Sequence, residues 1–370
     1  MIRLDITELA QNPINTGIQR VVRALIRHWP IDIPLTLVRF DPAQGLMKLP
    51  DTARATLLDP AVTVDHPVDR RAGPGARAAV SLDATSRILV PEVFYDTARC
   101  RFYRALPPEQ VGFLLYDLIP YLHPAQIGVR QTASFMPYLR LLRDATHIGF
   151  ISEQTRAEFT HRIRRTDQCP GPVLPLGADG LGVERQIFAA TRTDFVCIGS
   201  IDGRKNQNLI IAAFQRLWQR GSHAHLTLVG NAFPRVDLSA LEAIADHPHF
   251  TWHRDATDET VRGLLRGARA TLYMSEIEGY GLPPVESLGA GIPVIVSDRV
   301  PSIRALPQAG QIRLTTLTLE TIAEAVEAVC DDRIAQDLWQ QAATLQLPGW
   351  ADFARTTADW FSAPQTQWPR

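Results

Sequence analysis

The sequence predicts an α/β protein made of two successive Rossmann-like domains facing a cleft. Short apolar runs alternate with amphipathic stretches along the whole chain, the pattern of βα units around parallel sheets. At 370 residues the chain is too long for one ordinary core. A polar, Gly-rich stretch then separates two βα series, and no fixed-period repeat or heptad pattern competes with that reading.

The first series opens with a strand over Ile2 to Ile6, a polar loop and a helix from about Gly17 to His28. Leu35 to Phe40 reads as a second strand. Residues 41–80, dense in Pro, Asp, Arg and Gly and including Arg71-Ala-Gly-Pro-Gly-Ala-Arg77, read as irregular structure or an insertion. Ile88–Val90, Gly112–Leu115 and Ile148–Ile151 read as buried strands. Ser152 is placed to N-cap a helix that ends near Arg165. Val173-Leu174-Pro175 reads as a last short strand.

The second series begins with a strand at Phe195–Ile198 and a helix from Asn208 to Trp218. Strand Leu226–Val229, a helix around Leu238–Ala245, strand Phe250–Trp252, a helix at Glu259–Arg266 and strand Ala270–Tyr273 follow. A helix near Pro284–Ala290, strand Pro293–Val296 and helices over about 319–331 and 333–345 complete it. Trp350–Phe361 reads as a final helix with Phe353 and Trp360 on one face. The expected domains are 1–180, a linker 181–192, a second domain 193–348, and a C-terminal helix and tail 349–370.

Composition excludes several classes of function. With 45% hydrophobic and 21% charged residues the chain fits a soluble globular protein. A net charge of −1 supplies no field toward nucleic acid. Cys100, Cys169, Cys197 and Cys330 form no Cys-x-x-Cys pair, so neither zinc nor a redox dithiol is indicated, and a reducing cytoplasm is the expected compartment. Met1-Ile-Arg-Leu-Asp5 lacks a signal-peptide core. No apolar run approaches the ~20 residues of a membrane span, so any membrane contact is expected to be loose and peripheral. The Arg-rich helix near 156–165 is one surface for it, although a solvated face explains it as well. Thirty-six of the 38 basic residues are arginine; Lys205, one of two lysines, lies inside a motif.

The sharpest signal is Ser275-Glu-Ile-Glu278-Gly-Tyr-Gly-Leu-Pro-Pro-Val-Glu286-Ser-Leu-Gly-Ala-Gly-Ile-Pro-Val-Ile295. A buried strand ends at Met274, and the turn that follows holds two glycines and a carboxylate. Pro283 or Pro284 opens a helix where a missing N–H costs little. That helix N-terminus presents free N–H groups to a phosphate or to sugar hydroxyls. Glu286 lies about one turn in, so Glu278 and Glu286 can bracket a polar ligand. The bare spacing also fits a strand–turn–helix corner with surface glutamates.

The whole stretch closely resembles the Glu-x7-Glu donor motif of family 4 glycosyltransferases, with its Glu-Gly-aromatic-Gly-Leu-Pro core. The resemblance implies a GT-B fold whose C-terminal helix crosses back to the N-terminal domain. It also implies that Glu278 lies by the donor sugar, that Gly279, Tyr280, Gly281 and Leu282 hold sugar and phosphate, and that Glu286 takes the ribose hydroxyls.

Strand Phe195–Ile198 is followed by Gly199-Ser-Ile-Asp-Gly-Arg-Lys-Asn206 and a helix. Arg204 and Lys205 beside a helix N-terminus can clamp a diphosphate and stabilise its departing charge; a solvated loop carries such pairs too. The segment resembles the family's Gly-Thr-x-x-x-Arg-Lys-Asn loop. Ser200 stands where many members have arginine, which places more of the load on Arg204 and Lys205.

In the first half, Asn15-Thr16-Gly17-Ile18-Gln19-Arg20 resembles the family's glycine loop facing the donor, with Gly17 and Arg20 as candidates. Tyr116-Asp117-Leu118-Ile119-Pro120 resembles its His-Asp-x-x-Pro segment, with Tyr116 in place of the histidine and Asp117 retained as a catalytic candidate. Tyr116 and Arg20 are therefore expected on the acceptor side. Ser302-Ile303-Arg304 is a further departure, where many members have Pro-Glu near the pocket.

The resemblance implies a retaining transfer from a nucleotide sugar, with GDP-mannose ahead of UDP-glucose-type donors, to a glycan or lipid-linked glycan of bacterial polysaccharide assembly. The nucleotide sugar is a substrate. With no Asp-x-Asp triplet in the sequence, no metal or other cofactor is expected. Two other functions compete. An NAD oxidoreductase requires Gly-x-Gly-x-x-Gly after a strand, and neither Gly17 nor Gly199 starts one. A non-catalytic sugar-nucleotide binder stays open because of Tyr116.

Overall fold

The computed structural model describes residues 1–12, 16–58, 79–165, 171–233 and 236–363. Asn15 and the Arg71–Arg77 stretch lie outside these. The chain divides into two compact units, Met1–Leu176 with Trp350–Arg370, and Gly177–Gly349.

The first unit is built on β1 (Ile2–Asp5), β2 (Leu35–Asp41), β3 (Gly45–Lys48), β4 (Arg87–Val90), β5 (Val111–Leu115) and β6 (His147–Phe150), in the order β3-β2-β1-β4-β5-β6. Only the β2–β3 pair is antiparallel. Strand order reverses between β1 and β4, the place where open α/β sheets bind ligands beyond their strand ends.

Helices α1 (Thr7–Gln11), α2 (Gly17–His28), α3 (Ala53–Leu58), α4 (Thr97–Arg104), α5 (Val129–Asp144) and α6 (Glu153–Glu158) flank this sheet. Ser152 Oγ caps α6 by accepting from the Thr155 amide at 3.1 Å.

The second unit holds β7 (Asp194–Ile198), β8 (His225–Val229), β9 (Phe250–His253), β10 (Ala268–Tyr273), β11 (Val294–Ser297) and β12 (Gln311–Leu314), ordered β12-β11-β10-β7-β8-β9 and wholly parallel. Its reversal falls between β10 and β7. One face is packed by α7 (Gln207–Gln219) together with α10 (Leu319–Cys330); the other is packed by α8 (Asp258–Gly267), α9 (Leu282–Gly289) and α11 (Asp332–Thr344). Buried on both faces, β10 and β11 are mostly apolar, β10 carrying the buried polar side chains Arg269 and Thr271. Residues 177–192 are a strap on this unit: the Gln186 amide donates to Ala290 O, and Arg185 donates to Ala343 O and Leu345 O.

Helix α12 (Trp350–Ser362) packs on α2 and belongs to the first unit, as the resemblance implied. Arg355 grips Asp32 with two bonds of 2.9 Å. Phe361 and Trp360 lie against Gly112 of β5 and Gly149 of β6, and a Cβ on Gly112 would meet the Phe361 ring at 2.4 Å.

The structure corrects several sequence expectations. The polar loop after β1 contains α1. Part of the segment expected to be irregular forms the β2–β3 hairpin and α3, because Leu46 and Met47 are both buried across a turn at Gly45. Val173 makes only an isolated bridge to Phe150, since prolines on both sides remove ladder donors. The helix expected over Leu238–Ala245 is limited to Ser239–Glu242.

Substituting Gly112→Ala drives a methyl group into Phe361. The expected loss is about 1–3 kcal/mol of unfolding free energy, measured by urea denaturation, while Gly203→Ala, facing open space, is expected to change stability far less.

Candidate functional site

At the switch point of the second sheet, β7 and β10 end side by side and each feeds a loop. Gly199 to Asn206 leaves β7 as an ordered loop. Asp202 accepts from the Arg204 amide at 3.0 Å, a short 3-10 turn covers Gly203–Lys205, and Asn206 is left-handed at φ +56°. Gln207 fastens the loop from below, accepting from Asp202 N at 3.2 Å and donating to Ser200 O at 2.9 Å. Two bonds tie it to the neighbouring loop: Asn206 Nδ2 donates to Met274 O at 3.0 Å, and Glu276 N donates to Arg204 O at 2.9 Å.

This arrangement separates the two cations. Arg204 forms an ion pair with Asp202 at 2.6 Å. Burial raises the Asp202 carboxyl, but the bonds from Arg204 outweigh it and hold the carboxyl below its ordinary range. The structure therefore corrects the picture of two equivalent clamp residues, since Arg204 is already committed to its own loop. Lys205 turns the other way. Its ammonium sits where a Cβ on Gly199 would be 2.6 Å away, and 5.9 Å from the Tyr273 ring centre, over the strand ends.

Glu278 stands on the second loop. Its Oε1 accepts from Tyr273 OH at 2.6 Å and Ser275 Oγ at 2.9 Å. Burial and then the adjacent Glu278 charge push the Tyr273 phenol well above its usual value, so Tyr273 remains a donor.

Gly281 N-caps α9 at φ +91°, where a Cβ would be 2.4 Å from Val300. Ser302 Oγ donates to Gly281 O at 2.8 Å and Ser302 N to Tyr280 O at 2.9 Å. The departure at Ser302 is thus the pin of this turn, unreadable from spacing because its partners lie about twenty residues back. Gly279 and Leu282 are buried in the same turn, and Tyr280 is half-buried.

Glu286 is 3% exposed. It lines a cavity of about 250 Å³ with Asp179, Arg185, Gly289, Leu347 and Gly349 among others. Glu278 is not in that lining.

In the first unit, Thr16 caps α2 by accepting from Gln19 N, Gly17 is exposed with nothing near its Cα face, and Arg20 is half-buried. Asp117, half-buried, accepts from Ile119 N at 2.9 Å. Tyr116 is corrected from its expected acceptor-side role. It is 4% exposed, and its hydroxyl donates inward to Pro91 O at 2.7 Å. Burial holds that phenol protonated, so it acts as a brace and cannot replace a solvent-facing histidine.

Sequence reasoning missed the ion cluster at the first switch point. Buried Arg99 donates to Asp5 at 2.6 and 3.0 Å, to Glu92 at 3.2 Å and to Glu8 at 3.2 Å, and Tyr103 OH also bonds Asp5. Glu92 additionally accepts the Glu8 and Leu9 amides of α1 at 2.8 Å each. Two buried carboxylates share one guanidinium; burial, with Asp5 adding to it, pushes Glu92 up to about 8.

The geometry can be set beside known proteins. The Glycosyl transferases group 1 family pattern matches residues 184–346, which contain both loops at this switch point. Most of the second unit thus matches a glycosyltransferase pattern. Over 356 residues it is 25% identical to the serotype-specific mannosyltransferase WbdA of Escherichia coli. That alignment takes in 88% of this chain but 42% of the relative, so the chain spans less than half of that protein. The fold is that of WaaG, a glycosyltransferase involved in lipopolysaccharide biosynthesis (TM-score 0.64, 16% identity, 98% of this chain and 100% of that one). It is also that of HepE from Anabaena, solved with UDP and glucose (TM-score 0.63, 12% identity, 97% and 98%).

A raised Glu92 pKa stabilises the fold below the unfolded carboxyl value and loses that contribution as pH rises toward about 8. The melting temperature is expected to fall as pH rises from the ordinary carboxyl range to about 8, and Glu92→Gln is expected to flatten that fall. An unchanged slope in the variant would assign it to other groups.

Proposed function

We propose that this chain is a retaining, metal-independent hexosyltransferase of family 4. In this reading it moves mannose from GDP-mannose to a glycan or lipid-linked glycan in bacterial polysaccharide assembly. The observation that carries the reading is that Lys205 and Glu278 stand on the two loops that leave β7 and β10 at the switch point, loops tied to each other through Asn206 and Arg204. The mannose assignment is supported by the resemblance to a mannosyltransferase that covers 88% of this chain.

In this reading Lys205 faces the donor diphosphate and stabilises the charge that develops as the glycosidic bond to phosphate breaks. A fixed cation in a partly dry site serves that purpose without reorganising. Arg204 contributes by opening its pair with Asp202 or by holding the loop in shape. Glu278, aimed by Tyr273 and Ser275, positions the sugar hydroxyls; the amides of the Gly279–Leu282 turn face sugar and phosphate at the start of α9. Glu286 binds the ribose hydroxyls. Asp117 is assigned to the acceptor. Retention follows if the acceptor hydroxyl attacks from the face the phosphate leaves, with the leaving phosphate taking its proton. Among the described residues no helix is long and apolar enough to cross a membrane, so contact with a lipid-linked acceptor is proposed to be peripheral.

A UDP-sugar is the second reading, supported by the fold shared with a protein solved with UDP and glucose.

The test is calorimetry of GDP and UDP on the metal-free protein. GDP is expected to bind more tightly than UDP, with Lys205→Ala and Glu286→Ala each weakening it about tenfold or more, the loss of one charge-assisted contact. Tighter UDP binding would transfer the assignment to the second reading, and unaltered binding by both variants would remove the site.

A further inference from the structure

Four of the ten histidines fall in two His-x-His doublets, His223-Ala224-His225 and His247-Pro248-His249. His223-Ala224-His225 runs into β8, His247-Pro248-His249 forms the turn that leads into β9, and the parallel β8–β9 pairing brings the two doublets together. His225 begins β8, His249 immediately precedes β9, and Leu226 N donates to His249 O at 2.9 Å. His249 is the centre of the group: its ring lies 5.3 Å from that of His223, 6.5 Å from His225 and 5.8 Å from His247.

The members are held differently. His247 stacks on Trp218 at 3.8 Å and 16°, and its Nδ1 accepts from His249 N at 3.2 Å. His225 Nε2 is engaged with Thr251 Oγ1 at 2.9 Å. His223 Nδ1 and His249 Nε2 face each other directly at 3.2 Å. No activity derived above uses any of these rings. They occupy the amino ends of β8 and β9, whereas the donor loops follow the carboxyl ends of β7 and β10.

We propose that His223 and His249 form a chelating pair for a divalent transition-metal ion of the zinc class. Two nitrogens 3.2 Å apart, each ~2.05 Å from a zinc ion, subtend an angle of ~100°, close to tetrahedral. The hydrogen bond now joining them uses one N–H and one lone pair. Moving that N–H to the other nitrogen of its own ring leaves both facing nitrogens as acceptors with no net change in protons, and a turn of the two rings aims both lone pairs at one point. Among the described residues no three His, Cys, Asp or Glu side chains converge to hold an ion, so solvent completes the coordination. Imidazole ligands select zinc, copper or nickel over magnesium or calcium. The bound ion would join the loop after α7 to the start of β9 and so stabilise this edge of the second unit. The proposal is independent of the donor assignment.

The experiment titrates zinc chloride, by calorimetry, into the EDTA-treated full chain carrying no polyhistidine tag. One equivalent is expected to bind and to raise the melting temperature, with magnesium giving neither effect. His249→Ala and His223→Gln are each expected to weaken zinc about tenfold or more, while Lys205→Ala, impaired in nucleotide binding, keeps it. Melting of each metal-free variant verifies that it folds, and His223→Gln, on an exposed position, provides the readout should His249→Ala not fold. Absence of zinc binding by the wild type, or wild-type affinity in the folded variants, overturns the proposal.

Discussion

The second unit depends on the bracing of two loops where its sheet changes direction. A parallel sheet leaves β7 and β10 ending together with their backbone groups pointing into the space beyond. Asn206 closes that gap with one side-chain bond to Met274 O, and the backbone adds a second between Glu276 and Arg204. The left-handed conformation of Asn206 ends the 3-10 turn and starts α7 at once, which leaves Lys205 over the strand ends. Tyr273 and Ser275, one at the end of β10 and one just beyond it, fix Glu278 on the other side. A cation and a carboxylate are thus held in place before any ligand arrives, the condition under which electrostatics contributes most to a transferase.

The first unit solves the same topological problem differently. At its own switch point the space is filled by Arg99, Asp5, Glu92 and Tyr103, all buried. Removing one member would leave an unpaired buried charge, which costs several kcal/mol. Glu92 also receives the first amides of α1, so the cluster sets where that helix begins. Tyr116 and Tyr138 brace the same loop by donating to Pro91 O and Glu92 O. Two sheets with one strand order therefore carry different content at equivalent places: a largely buried ion cluster in one, a tied pair of loops in the other.

Most strands were legible because both faces of a parallel sheet are covered, leaving apolar runs such as Val294–Val296 that admit few other readings. Helix α5 was not legible: Pro137 lies inside it and breaks the local pattern, while Phe135, Tyr138, Leu139 and Leu142 carry the packing. The β2–β3 hairpin was obscured by the Pro, Asp and Gly residues that build its turn. The loops after β7 and β10 could be read as motifs because their residues are contiguous. What motifs could not convey was partnership. Arg204 and Lys205 are neighbours in sequence, yet one is bound to Asp202 and the other faces the strand ends. Asp5 is far along the chain from Glu92 and Arg99, and the three show their relation only once β1 and β4 pair. The substitution of tyrosine for histidine at 116 looked like a change of chemistry, and burial made it a change of packing.

The claim that the tied β7 and β10 loops receive the donor is tested most directly by amide hydrogen exchange with and without GDP. The account predicts slowed exchange concentrated in 199–206 and 279–286, with β8, β9 and the first-unit sheet unchanged. Protection confined to other segments, or none while nucleotide is demonstrably bound, would contradict it.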